Sequence, residues 1–186
     1  MPDTSVSTES LATEKKAAYD GPKLRLAIVG CGGISEVHIK ALRKMPDVEI
    51  VAGVDIKPER LDVMRDKFGI TRLYEDWREM LAEIKPDAVD VCTPNGVHAP
   101  AAVDASKAGC HVITEKPMAM NPDECESMIR AAEDAGKKLV VGFQFRYHPA
   151  TRMLVRARDE GAFGNIMFVK CRALRRRGIP NWGVFG

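Results

Sequence analysis

With 186 residues, 45% of them hydrophobic and 29% charged, and a formal net charge of +2, the chain has room for one complete domain and part of a second. A charge so close to zero gives no field strong enough to recruit nucleic acid or a membrane surface, so a small ligand is the better fit. The five cysteines, Cys31, Cys92, Cys110, Cys125 and Cys171, contain no C-x-x-C pair. This argues against a disulfide framework and a zinc site and suits reduced thiols in a cytoplasmic protein.

Residues 1–22 are rich in Ser, Thr, Glu and Lys and poor in large apolar groups, so the expectation is a flexible tail that cannot offset the entropy of ordering. No basic-then-apolar leader opens the chain, and no apolar run approaches the roughly 18 residues of a membrane span. From Leu24 the pattern changes. Leu24 to Val29 is a short apolar run ending in glycines, and Ile34, Val37, His38, Ala41, Leu42 and Met45 follow at helical spacing. Glu49 to Val54 reads as a buried strand, and Pro58 opens a helix with Leu61, Met64 and Phe68 on one face and Gly69 at its end. Leu73-Tyr74 reads as a short strand, Asp76 to Ile84 as a helix, Ala88 to Thr93 as a strand, and His98 to Ala108 as a helix stopped by Gly109. After a strand at His111 to Thr114, Asn121 and Glu124 have the spacing of a capping box, which predicts a helix running to Gly136. Leu139 to Phe143 is a further apolar strand, Pro149 to Glu160 a helix, and Ile166 to Leu174 a strand.

Strands alternating with helices, apolar on both faces and joined by short loops, predict a doubly wound α/β domain of the Rossmann type with a parallel sheet. We assign residues 23–145 to that domain and 146–186 to the beginning of a second, α+β domain.

The first strand runs into Gly30-Cys31-Gly32-Gly33-Ile34-Ser35 at the head of the first helix, the context in which glycines cradle a dinucleotide pyrophosphate. Gly30 permits the turn, Gly32 lets the backbone approach the phosphates, and amides from Ile34 onward face their charge; Ser35 stands where a third Gly or Ala is usual. Asp55 ends the second strand 25 residues after Gly30, near the roughly 20 expected for a carboxylate on the adenosine ribose. Its charge repels a ribose phosphate, so NAD is the first expectation and NADP the second. Lys57 either softens that preference or is a solvated lysine.

Glu115-Lys116-Pro117 follows the strand at His111 to Thr114, at the carboxyl edge where ligands of open α/β sheets bind. Hydride transfer from an alcohol needs a group that takes the hydroxyl proton, and a lysine beside a cationic nicotinamide can do so. Lys116 is the candidate, with Glu115 pairing with it or contacting the cofactor. Thr93-Pro94-Asn95-Gly96-Val97-His98 ends the preceding strand at the same edge. His38 and His111 read as structural histidines and His148 as a turn residue. No spacing suggests a metal.

Together with Gly142-Phe143-Gln144-Phe145-Arg146-Tyr147-His148-Pro149, these segments resemble, in order and from about Leu24 to the end, the glucose-fructose oxidoreductase and inositol dehydrogenase (Gfo/Idh/MocA) family. The resemblance implies that Gly30, Gly32, Gly33, Ile34 and Asp55 hold the adenosine diphosphate. It likewise assigns Thr93, Asn95, His98, Glu115 and Gln144 to the nicotinamide half and makes Lys116 the catalytic lysine. Arg146 and Tyr147 would lie near the entry to the substrate domain, Arg146 as anchor or substrate contact, and Trp182 would cover the nicotinamide pocket or serve in packing. In that family the lysine works with an Asp and a His of an Asp-x-Gly-x-His segment, which does not occur here. The sequence is therefore expected to be truncated or partial, able to bind dinucleotide but poor in turnover, with homo-oligomerisation a property of the full-length protein. The implied activity is hydride transfer between NAD(P) and a secondary alcohol of a sugar, cyclitol or derivative. The alternatives are an NAD-dependent glycoside hydrolase of the same fold and a non-catalytic dinucleotide-binding module.

Overall fold

The computed structural model describes residues 21–174. The tail to residue 20, Arg175, Arg176, Arg177 and Trp182 lie outside the described residues.

Residues 21–142 form one compact unit. Its elements in chain order are β1 Leu24–Val29, α1 Gly33–Leu42, β2 Val48–Val54, α2 Pro58–Phe68, β3 Leu73–Tyr74 and α3 Trp77–Ile84. They continue with β4 Ala88–Val91, α4 His98–Lys107, β5 His111–Thr114, α5 Pro122–Asp134 and β6 Leu139–Val141. The strands pair in the order β3-β2-β1-β4-β5-β6, and every pairing is parallel. The order reverses between β1 and β4, which is where an open α/β sheet leaves a crevice at its carboxyl edge.

The core follows from the period of two along each buried strand. On β1, Leu26 and Ile28 face one side with Ile39, Met64, Phe68 and Ile70. Ala27 and Val29 face the other with Met80, Leu81, Val91, Val112 and Met128. Helix α4 presents Ala99, Ala101, Ala102 and Ala105 to the latter cluster, small side chains that let its backbone lie close to its neighbours. Local signals set the helix ends. Gly69 closes α2 at φ 60°, the left-handed position that favours glycine. Asn121 Oδ1 accepts from Glu124 N at 2.9 Å while the Glu124 carboxylate reaches back to Met120 N at 3.0 Å.

Two expectations are corrected. Helix α1 forms where its period predicts, but it turns Ser35 and Ile39 inward and leaves Ile34 and Val37 exposed, as is Met45 just beyond its end. Ser35 is fully buried with its hydroxyl donating to Gly32 O at 2.6 Å, so a small, self-satisfied polar group sits where the helix start meets the sheet. The strand expected at Ile166 to Leu174 is absent: these residues carry no regular structure and are all exposed. A strand needs a neighbour to take its N–H and C=O groups, and no described strand pairs with this stretch.

Residues 143–174 belong to a second unit. It contains a 3-10 turn at Gln144–Tyr147 and α6 Pro149–Asp159, where the His148 ring caps the helix by accepting from Ala150 N at 3.3 Å. Among the described residues no helix is long and apolar enough to cross a membrane.

Candidate active site at the carboxyl edge of the sheet

Strand register builds the site. Val29 pairs with Val54 and with Val91, Val91 with Thr114, and Thr114 with Val141. The residues that follow, Gly30, Asp55, Cys92, Glu115 and Gly142, therefore stand in a row along one edge.

At one end of this row is the glycine loop. Gly30 has φ +92°, and a Cβ added there would lie 2.6 Å from Cys92 C and Thr93 N. Only glycine permits both the left-handed turn and this approach of two strand ends. Gly32 precedes α1 without a side-chain cap, and Cβ atoms at Gly32 and Gly33 would meet nothing within 4 Å. The space beside these glycines is thus open at the positive end of the helix, the arrangement that holds a diphosphate. Asp55 locks the loop in place, its Oδ2 accepting from Cys31 N at 2.8 Å and its Oδ1 from Lys57 N at 2.9 Å. An ionised carboxylate has about four acceptor sites, so Asp55 keeps capacity for ribose hydroxyls. Ile34 is exposed beside the loop.

Next in the row is the turn after β4. The Thr93 hydroxyl oxygen is buried and has no hydrogen-bond partner among the described residues, a polar atom that suits a ligand hydroxyl or amide. Asn95 opens a 3-10 turn over Asn95–Val97. His98 is fully buried, with Nδ1 2.9 Å from Pro117 O and Nε2 2.9 Å from Thr93 O. Its ring ties the Thr93 turn to the Lys116-Pro117 turn. The open glycine cradle, the carboxylate at the end of β2 and the orphaned Thr93 hydroxyl together fit a dinucleotide.

Beyond lies Glu115, buried at the end of β5. Its Oε2 accepts from Lys116 N at 3.1 Å and lies 3.9 Å from Lys116 Nζ. The Lys116 side chain is half exposed, and the peptide bond to Pro117 is cis. Gly142 leaves room for Glu115, since a Cβ there would come 3.3 Å from Glu115 Oε1.

One cluster of side chains was not legible in the sequence. His38 reaches from α1 to place Nδ1 2.8 Å from Asp90 Oδ2 and Nε2 3.1 Å from Glu115 Oε1. The Cys92 thiol donates to Asp90 Oδ1 at 3.6 Å and lies 3.5 Å from His38 Nδ1. The hydrogen bond to Asp90 is the chief cause that raises the His38 pKa above its ordinary 6.5. Burial first, and Asp90 second, push the Cys92 thiol well up, and burial with the nearby Asp55 pushes Cys31 up to about 12. Both thiols are thereby kept protonated and unreactive. His38, Asp90 and Cys92 bring potential metal-ligand atoms within 4.8 Å of one another, yet these atoms already engage each other. The signal for the cluster was Asp90 itself: a carboxylate inside a strand covered on both faces requires a partner.

The remaining expected residues, Gln144, Arg146 and Tyr147, lie exposed on the 3-10 turn of the second unit. His111 is structural, its Nδ1 accepting from Lys138 N at 3.0 Å.

Comparison with known proteins agrees with this geometry. The oxidoreductase family GFO_IDH_MocA, described by its NAD-binding Rossmann fold, matches residues 24–143. A D-glucoside 3-dehydrogenase from Escherichia coli (strain K12) is 37% identical over 171 residues, 91% of this chain and 49% of the relative. The crystal structure of the WlbA dehydrogenase from Bordetella pertussis, in complex with NADH and UDP-GlcNAcA, superimposes with a TM-score of 0.73 at 35% identity, over 76% of this chain and 43% of that one. That of scyllo-inositol dehydrogenase from Lactobacillus casei, with bound NAD(H) and scyllo-inositol, gives 0.73 at 27% identity, over 77% and 43%. The chain thus spans about half the length of these relatives or less.

Proposed function

From the premise that this chain belongs to the Gfo/Idh/MocA oxidoreductase family, with its NAD-binding Rossmann fold, we propose that it is the cofactor-binding part of a dehydrogenase. The reaction is hydride transfer between NAD and a secondary alcohol of a sugar, cyclitol or derivative. One observation carries this reading: Lys116 stands on the same sheet edge as the glycine cradle, beside the buried Glu115.

NAD, when bound, supplies the hydride acceptor. The protein's residues do the rest. The first amides of α1 hold the diphosphate, Gly30 and Gly32 let the backbone approach it, and Ile34 lies against the adenosine side. Asp55 accepts from the adenosine ribose and disfavours a ribose phosphate there, which selects NAD over NADP. Thr93 and Asn95 offer polar groups to the nicotinamide half, and His98 holds their turn against that of Lys116. Nζ of Lys116 holds or takes the hydroxyl proton, and Glu115 orients it. By the family resemblance Gln144 serves the nicotinamide half, and Arg146 and Tyr147 belong to the entry into a substrate domain, which supplies the remaining contacts to the polyol. Support for a polyhydroxylated ring comes from the relatives, whose names specify a glucoside and scyllo-inositol. The setting is cytoplasmic and the complete protein a homo-oligomer.

Calorimetry on the 186-residue chain tests the cofactor reading: NAD binds, and NADP binds at least about tenfold more weakly, a difference of roughly 1.4 kcal/mol. Absence of heat with both coenzymes overturns it. In protein carrying the substrate domain, Lys116→Met is expected to lower the rate of NADH formation from polyols by about 10²- to 10⁴-fold while NAD binding persists. Retained turnover in that variant removes Lys116 from catalysis.

A further inference from the structure

Asp90 and Glu115 come from the neighbouring strands β4 and β5, paired Val91 to Thr114, and both present a carboxylate oxygen to one imidazole. Asp90 is almost completely buried and Glu115 nearly so. Two like charges so placed repel each other and lose hydration, which drives one of them to take up a proton unless a cation stands between them. His38 stands there, with Asp90 Oδ2 on one ring nitrogen and Glu115 Oε1 on the other. An ionised carboxylate only accepts hydrogen bonds, so a ring that serves both must carry a proton on each nitrogen and hence a positive charge. A neutral ring would turn one lone pair toward a carboxylate. The Cys92 thiol donates to the other oxygen of Asp90, and Lys116 lies on the other oxygen of Glu115. Two carboxylates and two cations therefore form one closed, charge-balanced chain that ends on Lys116.

We propose that His38, together with Asp90, is a positioning residue for the reaction, fixing the Glu115 carboxylate and through it the backbone and ammonium group of Lys116. The absent side chain at Gly142 leaves room for Glu115 Oε1; with that oxygen on His38, Oε2 is directed at Lys116. Without that bond Glu115 is no longer held in this orientation, and Lys116 loses its anchor. The raised pKa of His38 agrees with this arrangement. This inference rests on the role given to Lys116 above.

Two experiments test it. In the 186-residue chain, ¹⁵N NMR of the histidine rings is expected to show His38 protonated on both nitrogens at neutral pH, and Asp90→Asn to make it neutral under the same conditions. This measurement starts from the unaltered protein, so it does not depend on any variant folding. A neutral His38 in the unaltered chain overturns the proposal. In protein carrying the substrate domain, His38→Gln and Glu115→Gln are each expected to lower kcat by on the order of 10²-fold, the cost of a catalytic group misplaced by about an ångström. KM for NAD should change little in His38→Gln. If His38 acts through Glu115, the double variant is no slower than Glu115→Gln alone; independent, multiplying losses overturn the inference. Lys116→Met, assayed in parallel, separates the two levels. Full activity in that variant removes the functional reading and this inference with it, whereas an inactive variant alongside multiplying losses removes this inference alone.

Discussion

Helices α5 and α6 are built alike and end differently. Each has proline in its first turn and a side-chain N-cap, Asn121 in one and His148 in the other, and each has a marked apolar face. Yet α5 buries Met128, Ala131 and Ala132, while α6 buries nothing and leaves Met153, Leu154 and Val155 exposed. Caps and period decide that a helix forms, and a facing surface decides whether it contributes to a core. The same contrast separates residues 21–142, with a hydrophobic cluster on each face of the sheet, from residues 143–174, where no described residue is buried.

The comparison can be broken most forcefully at Gly30. In Gly30→Ala the added carbon meets backbone at 2.6 Å on a φ of +92°. The left-handed strain alone costs about 1–3 kcal/mol, and the clash with the end of β4 adds to it. Urea denaturation should show a chain largely unfolded or grossly destabilised, and a stability near the parent's would refute the tight approach of β1 to β4. Ile28→Ala comes next. Ile28 is completely buried, so the expected loss is about 2–5 kcal/mol, read from the urea midpoint.

His38 sharpens the comparison through pH. Its folded pKa lies above the ordinary 6.5, so its contribution to stability is complete below that value and is lost as pH rises through the raised one. The stability gap between the parent and His38→Gln should therefore be widest in mild acid and narrow toward alkaline pH. A gap that widens instead would mean a histidine buried neutral. The smallest effect belongs to α6, where Leu154→Ala should change stability by no more than about 0.5 kcal/mol. In the same 186-residue chain, amides of residues 166–174 should exchange hydrogen without protection while those of β4 exchange slowly. A large loss in Leu154→Ala would reveal a packing partner for α6.

Much of the carboxyl edge was legible because its signals are local. Gly30, Asp55 and Lys116 each follow a strand, and a strand end is readable from an apolar run closed by a glycine, an acid or a proline. The capping box at Asn121 and the stop at Gly69 were likewise local chemistry. The role of His38 was not readable, because its partners lie 52 and 77 residues away and come together only through the parallel register of β4 and β5. Nor was that of Gly142, whose missing side chain matters only because the Glu115 carboxylate lies against it.

The sequence by itself determined the alternation of strands and helices, their ends, and the residues at the carboxyl edge, since each depends on backbone preferences and apolar period within a few residues. Tertiary structure decided which face of α1 turns inward, where the buried carboxylates find their counter-charge, and that residues 166–174 form no strand. Those outcomes depend on what lies opposite: a helix face, a buried acid and a strand edge each reach low free energy only with a partner, which distant parts of the chain provide or withhold.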